Sequence, residues 1–306
     1  MLVVFSIPAL ALDNYNIIWE NFIESPEIRG GHFLELSYLG SKYDDYEEYN
    51  DGSDPAWIIN LLDFINDYHH RAKLSIIASD STEIYGTLDY VHDYREYPLM
   101  QTFSFGVKQN LINKDTYKIA LKGGLSGEVE DYNFFSRINA GVLSQYKIND
   151  SMDLYNNLAL AYDMKEDEYA SLTDEVNLFM ENGLFYRVDE KNSFKARLNT
   201  TAGTERSTSA SISLAYQYVI NPELSYTLNI INLDQISEDK TDILNLVKYS
   251  PTEKTDLYGG IYASLDGYKM FTLAGEHKIN EMFSILGKFN YTEEDSSLYL
   301  GFKFNI

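Results

Sequence analysis

The stretch Leu298-Tyr299-Leu300-Gly301-Phe302-Lys303-Phe304-Asn305-Ile306 alternates without a break: Leu298, Leu300, Phe302, Phe304 and Ile306 fall on one side, Tyr299, Gly301, Lys303 and Asn305 on the other. Period-two alternation puts the two sets on opposite faces of a β-strand, one wholly apolar and one wettable. The same pattern recurs upstream. Phe283, Ile285, Gly287, Phe289 and Tyr291 alternate with Ser284, Lys288 and Asn290, with Leu286 as the exception. Ile212, Leu214, Tyr216, Tyr218 and Ile220 alternate with Ser211, Ser213, Ala215 and Gln217. Met152, Leu154, Leu158, Leu160 and Tyr162 alternate with Asp153, Asn157, Ala159 and Asp163. A soluble β-sandwich with a wet outer face would carry such strands too, so alternation alone leaves two architectures open.

A repeated turn separates them. Ile112-Asn113-Lys114-Asp115, Ile148-Asn149-Asp150, Val188-Asp189-Glu190, Ile220-Asn221-Pro222-Glu223 and Ile279-Asn280-Glu281 punctuate every second strand, with Tyr249-Ser250-Pro251-Thr252-Glu253 as a degenerate member. Short turns on one side and longer loops on the other are what a transmembrane up-and-down antiparallel β-barrel requires. Tyr146, Tyr186, Tyr218 and Tyr249 fall just before these turns on the apolar face, where an aromatic girdle meets lipid headgroups. The segments between turns number sixteen, from 32–39 to 297–306, with fourteen as the alternative count. Three strands fit less well: the second, where Ile77 breaks the polar face; the eighth, where Asn182 would meet lipid; and the short twelfth at 242–249.

Composition agrees. The 306 residues include 26 Tyr, 16 Phe and no Cys, so neither a disulfide nor a thiolate metal site is possible. A net charge of −23 excludes nucleic acid as a partner, because phosphate binding needs clustered Lys and Arg. Residues 1–11 end in Ala9-Leu10-Ala11 and read as the remnant of a secretory signal peptide, although a basic n-region is missing. Beyond Leu12 no run reaches the ~18–20 apolar residues of a membrane helix, so a membrane location would demand a barrel. The expected layout is a periplasmic segment at 12–30 and an all-β outer-membrane barrel at 31–306. Whether 12–30 enters the lumen is left open by its residues.

The terminal strand, with Gly301-x-x-Phe304-x-Ile306, resembles the C-terminal insertion signal of Gram-negative outer-membrane β-barrels, although that family commonly ends in Phe or Trp. The chain is similar to general porins at the architectural level. The resemblance implies outer-membrane lipids and lipopolysaccharide as surroundings, small hydrophilic solutes or ions as cargo, no cofactor, and a homotrimer as the oligomer.

Turn-to-turn counting places Lys73, Asp89, Lys118, Lys122, Arg137, Asp153, Glu181, Arg187, Lys195, Arg197, Lys288 and Lys303 on the wall that would line a pore. Glu181 with Arg197, and Lys73 with Asp89, are expected as cross-strand ion pairs. Lys122 and Lys288 have no carboxylate at their depth on a neighbouring strand and could set a field across the pore, or else pair with an inserted loop. The expected extracellular mouth is acidic: Asp44, Asp45, Glu47 and Glu48 in the first loop, then Glu166, Asp167, Glu168, Glu293, Glu294 and Asp295. It would concentrate cations, or bridge to lipopolysaccharide through divalent ions. Asp54-Pro55-Ala56-Trp57, followed by Ile58, Leu61, Leu62 and Ile65, predicts a short helix in that loop, either a constriction in the bore or a cap on the rim. No metal site is expected, since the loop lacks the Asp-x-Asp-x-Asp-Gly spacing of a calcium loop. Catalysis is not expected either: His92 and His277 face outward without a matching Ser, and His69-His70 or His92-Asp93 beside acidic loops fit an outer-membrane protease only by residue type. Two other readings stand beside the porin. One is an adhesive or structural barrel with a plugged lumen, and the other is the secreted sandwich.

Overall fold

A computed structural model describes residues 25–28, 32–43, 67–92, 100–130, 133–166, 172–204, 208–234, 241–264, 267, 269–292 and 295–305. The sixteen strands are β1 (Phe33–Tyr43), β2 (Asp67–Ser79), β3 (Thr82–His92), β4 (Met100–Asn113), β5 (Tyr117–Glu130), β6 (Asn133–Asn149), β7 (Met152–Glu166) and β8 (Leu172–Arg187), then β9 (Asn192–Gly203), β10 (Ser209–Asn221), β11 (Leu224–Asp234), β12 (Asp242–Thr252), β13 (Thr255–Ser264), β14 (Lys269–Asn280), β15 (Phe283–Tyr291) and β16 (Asp295–Asn305). Each pairs antiparallel with its neighbours in sequence, and β1 pairs with β16, closing the ring. Closure leaves no sheet edge, so every wall strand has its backbone groups paired on both sides. The sandwich is thereby excluded.

The turn motif has a mechanism. Asn149 Oδ1 accepts a hydrogen bond from the Ser151 N–H (2.8 Å), Asn221 Oδ1 from Glu223 N–H (2.9 Å) and Asn280 Oδ1 from Met282 N–H (2.8 Å). A side-chain carbonyl that meets the backbone two residues on fixes the reversal. One residue is bulged out just before each of these turns: the register jumps between Lys147 and Asn149, Val219 and Asn221, and Lys278 and Asn280. The isoleucine of the motif is that extra residue, and Ile148, Ile220 and Ile279 are all exposed. Hydroxyls do the same work where Asn is missing. Ser79 Oγ accepts from Ser81 N–H (3.3 Å), a turn with no signature in the sequence, and Thr252 Oγ1 accepts from Lys254 N–H (3.2 Å). In that last turn Pro251 sits within the bulge, where no ladder donor is needed, and β12 runs on to Thr252 instead of stopping at 249.

The wall is inverted relative to a water-soluble fold. Leu88, Leu160 and Leu300 are 54%, 56% and 51% exposed on the outer face, whereas Asp163, Asn177, Asn229, Thr272, Ser284 and Lys288 are buried on the inner one. An apolar belt this continuous around a closed ring is a surface for hydrocarbon. Tyr146, Tyr186 and Tyr249 stand exposed on it near the turns, and Tyr218 lies opposite Tyr226 at the same level. Asn182 does face outward, directly opposite Asn156, which in turn lies opposite Ser144. Elsewhere a polar outward group is satisfied locally: the Tyr226 hydroxyl donates to Asn245 Oδ1 (2.7 Å). Ile77 sits on the inward face, as the broken alternation implied.

Candidate functional site in the barrel interior

Inward-pointing residues of β6 to β9 build a hydrogen-bonded cluster on the inner wall. Arg137 Nε and Nη2 donate to the two oxygens of Asp163 (2.6 and 2.7 Å), and Asn177 Nδ2 donates to Asp163 Oδ2 (2.9 Å). The guanidinium also stacks near the rings of Phe135 (5.5 Å) and Phe179 (5.4 Å). A planar fork held bidentately and flanked by aromatic faces is a geometry that Arg supplies and Lys does not. Gly203 makes room for it on the adjacent strand: a Cβ there would lie 2.4 Å from both Asn177 Oδ1 and Glu175 Oε1. Nearer the turns, Glu181 accepts from Asn157 Nδ2 (2.7 Å) and pairs with Arg197 (3.8 Å).

A second charged ladder runs along β16, β1, β2 and β3, on the other side of the ring. The Tyr299 hydroxyl donates to Glu35 (3.1 Å), Lys303 lies 5.0 Å from the Phe33 ring, and Ser75 donates to Glu83 (3.1 Å). Asp89 forms an ion pair with Arg71, a partner that the sequence reading did not name beside Lys73. Arg71 stands directly opposite Asp89, while Lys73 stands opposite Thr87, diagonal to the carboxylate.

Between the two ladders, β4 and β5 carry three lysines. Lys108 lies directly opposite Lys122, and Lys118 opposite Asn113. The Lys122 ammonium sits 5.7 Å from the Tyr85 ring. Tyr85 is laid flat by its neighbour Gly106, where a Cβ would lie 2.3 Å from the ring. Lys108 Nζ donates to the carbonyls of Ser25 (2.5 Å) and Glu27 (2.6 Å), and Lys118 forms an ion pair with the Glu27 carboxylate. Residues 25–28 therefore lie inside the barrel against this wall.

A cavity of ≈ 580 Å³ opens along β3 to β9, with Lys122, Arg137, Asn139, Asn157, Glu181 and Asn199 among its walls. On the β12 to β16 side Tyr258, Met270, Lys288 and Tyr299, all large and inward, are buried as well. Leu244, Leu246 and Tyr258 form an apolar cluster there.

All twelve residues expected on the inner wall have inward positions. Arg187 is at the exposed turn end of β8, 5.7 Å from the Phe185 ring, which Lys195 also approaches at 6.0 Å. Asp153 accepts from Gln145 (3.3 Å) across the β6–β7 pair. Lys288 is buried to 2% exposure, which does not suit a cation projecting into an open bore. Asp44, Asp45, Glu47, Glu48, Asp167, Glu168, Glu293 and Glu294, together with the helix expected at 55–65, lie outside the described residues. Glu166 and Asp295 are strand ends, at β7 and β16. Sequence reasoning missed Arg71, Lys108 and Glu27, and it placed Asp163 on the inner face without pairing it to Arg137. Lys108 was detectable, since Phe103, Phe105 and Val107 alternate with Ser104, Gly106 and Lys108. Glu27 was not, because no strand pattern fixes its place. Among the described residues no group of three or more His, Asp or Glu side chains converges as a metal site would require.

No family model and no curated protein sequence matches the chain. Solved structures do. CdiB from Acinetobacter baumannii superposes with a TM-score of 0.61 at 8% identity, over 90% of this chain and 60% of CdiB. The P. putida toluene transporter TodX follows with a TM-score of 0.49 at 8% identity, over 93% of each chain. A mutant of Rh. blastica porin gives 0.45 at 11% identity, over 90% of this chain and 99% of the porin. At such identity the likeness concerns the fold, and the chain spans 60% of the length of CdiB. The class is nonetheless defined. By fold and by its inverted wall, the chain is a closed sixteen-strand antiparallel β-barrel of the membrane-spanning type.

Proposed function

We propose that the chain is an outer-membrane channel through which small hydrophilic solutes or ions diffuse passively, with no chemistry performed on them. The observation that carries this reading is the pairing of an apolar outer belt with a cavity walled by Lys122, Arg137, Asn157 and Glu181. A lumen lined by both signs of charge and by amides replaces part of a solute's hydration while leaving no strong trap. Lipids and lipopolysaccharide are its surroundings. The outward row Ser144, Asn156 and Asn182 is the face on which copies of a homotrimer would pack, since amides gain from a polar partner in hydrocarbon. Liposome swelling tests the reading. Vesicles containing the purified protein should swell in small sugars faster than empty ones, and equal rates would count against it.

The burial of large inward side chains such as Tyr155, Tyr258, Lys288 and Tyr299 favours a second reading, an adhesive or structural barrel whose lumen is plugged. Removing residues 44–66 discriminates: faster swelling supports a channel that this loop narrows, whereas unchanged swelling with lost cell adhesion supports the structural barrel.

A further inference from the structure

We propose that the cavity along β3 to β9 is a saturable binding site for short neutral saccharides, with the rings of Tyr85 and Phe179 as platforms and the amides of Asn139 and Asn199 as ligands of sugar hydroxyls. The site deepens the channel reading and rests on it for the access of solute to the lumen. Its shape follows from register. One row across the strands runs Tyr85, Gly106, Gly124, Asn139 and Ala161, and the row beside it runs Lys122, Gly141, Ala159, Phe179 and Thr201. Glycine and alanine keep the middle of both rows low, while an aromatic ring rises on β3 in one and on β8 in the other. The resulting cavity of ≈ 580 Å³ has the size of a small-molecule site.

The charges on these walls are already engaged within the protein. Arg137 forks onto Asp163, and Glu181 meets Asn157 and Arg197. Lys122, which takes part in further interactions, lies 5.7 Å from the Tyr85 ring as Arg137 lies 5.4 Å from Phe179, and these cations steady both rings. What remains for a solute is uncharged. Asn139 and Asn199, half-buried on the cavity wall, have no side-chain hydrogen bond among the described residues, and each amide both donates and accepts. A sugar hydroxyl does the same, and the C–H face of a sugar ring settles on the electron-rich face of an aromatic. A carboxylate or phosphate would have to compete for cations that already hold partners, and an apolar solute would leave both amides unmet.

Maltose, lactose and sucrose test the site on the purified full chain in an amine-oxide detergent, which carries no sugar head group. Saturation-transfer NMR should show saturable binding of at least one of them, with the strongest transfer to its ring C–H protons. Tyr85→Leu and Asn139→Leu should each weaken that binding about tenfold, since an aromatic contact or a hydrogen bond is worth roughly that factor. Gln217→Leu, inward on β10 and outside the cavity, should leave it unchanged. Heat-modifiable gel mobility verifies that each variant has closed its barrel. No saturation by any of the three sugars, or unchanged affinity in both Tyr85→Leu and Asn139→Leu, overturns the site. Tighter binding of gluconate than of every sugar overturns the assignment to neutral solutes. In planar bilayers the sugar that binds should reduce the ion current along a saturating curve, which Tyr85→Leu shifts to higher concentration. Sugar binding without any conductance refutes the channel and spares the site, whereas conductance without saturable sugar binding refutes the site and spares the channel.

Discussion

Asp189 shows how much one side chain settles in this wall. Its carboxylate accepts from Asn192 Nδ2 (2.9 and 2.8 Å to its two oxygens), from the Lys191 N–H (2.8 Å) and from the Asn192 N–H (2.7 Å), closing the β8–β9 turn. The Asn192 side chain first, and then these backbone donors, hold the Asp189 carboxyl below the usual carboxylate range. A depressed folded pKa means that the turn's stabilisation is complete above the ordinary Asp value and is lost as pH falls through the lower, folded one. Amide exchange at Lys191 and Asn192, corrected for intrinsic rates, should therefore stay protected at pH 5 and accelerate only in stronger acid; acceleration already at pH 5 would contradict it. Gly203 makes the converse point, that an absent side chain can hold a site together. Gly203→Ala forces Asn177 and Glu175 to move and should cost about 1–3 kcal/mol of stability, read as a shifted urea midpoint in lipid vesicles. The sequence marks Arg137 and Asp163 as inward but does not reveal that they are partners, because alternation fixes a residue's face and not the register between strands.

At the level of strands and turns, local chemistry predicts the structure best. All sixteen strands were legible, because alternation and the Ile-Asn turn report on the same face and the same side of the ring. Asn149→Ala, Asn221→Ala and Asn280→Ala each remove one side-chain acceptor from a turn and should cost about 0.5–1.5 kcal/mol apiece, measured as lowered refolding midpoints; no change in any of them would refute the role given to the motif. The hairpin at Ser79 was found only from its flanking strands, since a serine hydroxyl carries no recognisable signature. Pair identities were less legible than faces. A shift of one hydrogen-bonded position exchanges Lys73 for Arg71 opposite Asp89, and bulges that set such shifts leave only a weak trace in sequence. The wall's polarity is testable one strand at a time. Leu158→Lys, outward on β7, should cost about 2–4 kcal/mol in a bilayer, whereas Asn157→Lys, inward on the same strand, should be far milder. Equal penalties would mean that the faces are wrongly assigned.

For the whole molecule, charge is arranged differently from its sum. The net −23 coexists with an inner wall on which Arg137 meets Asp163, Arg197 meets Glu181, Arg71 meets Asp89 and Lys248 meets Asp256 at 3.1 Å. Such ladders are close to neutral, so net charge by itself says little about selectivity. What the interior adds is placement: a cavity along β3 to β9, an apolar cluster of Leu244, Leu246 and Tyr258 on β12 and β13, and the chain's own residues 25–28 against the lysines of β4 and β5. Sequence alone could not reveal this, because it depends on which inward residues meet across the ring. The most direct test is single-channel recording in planar bilayers, with insertion verified independently by heat-modifiable gel mobility. The account predicts discrete, voltage-stable conductance steps in KCl, smaller than those of an unobstructed sixteen-strand barrel. Fully inserted, heat-modifiable protein that gives no steps would contradict it.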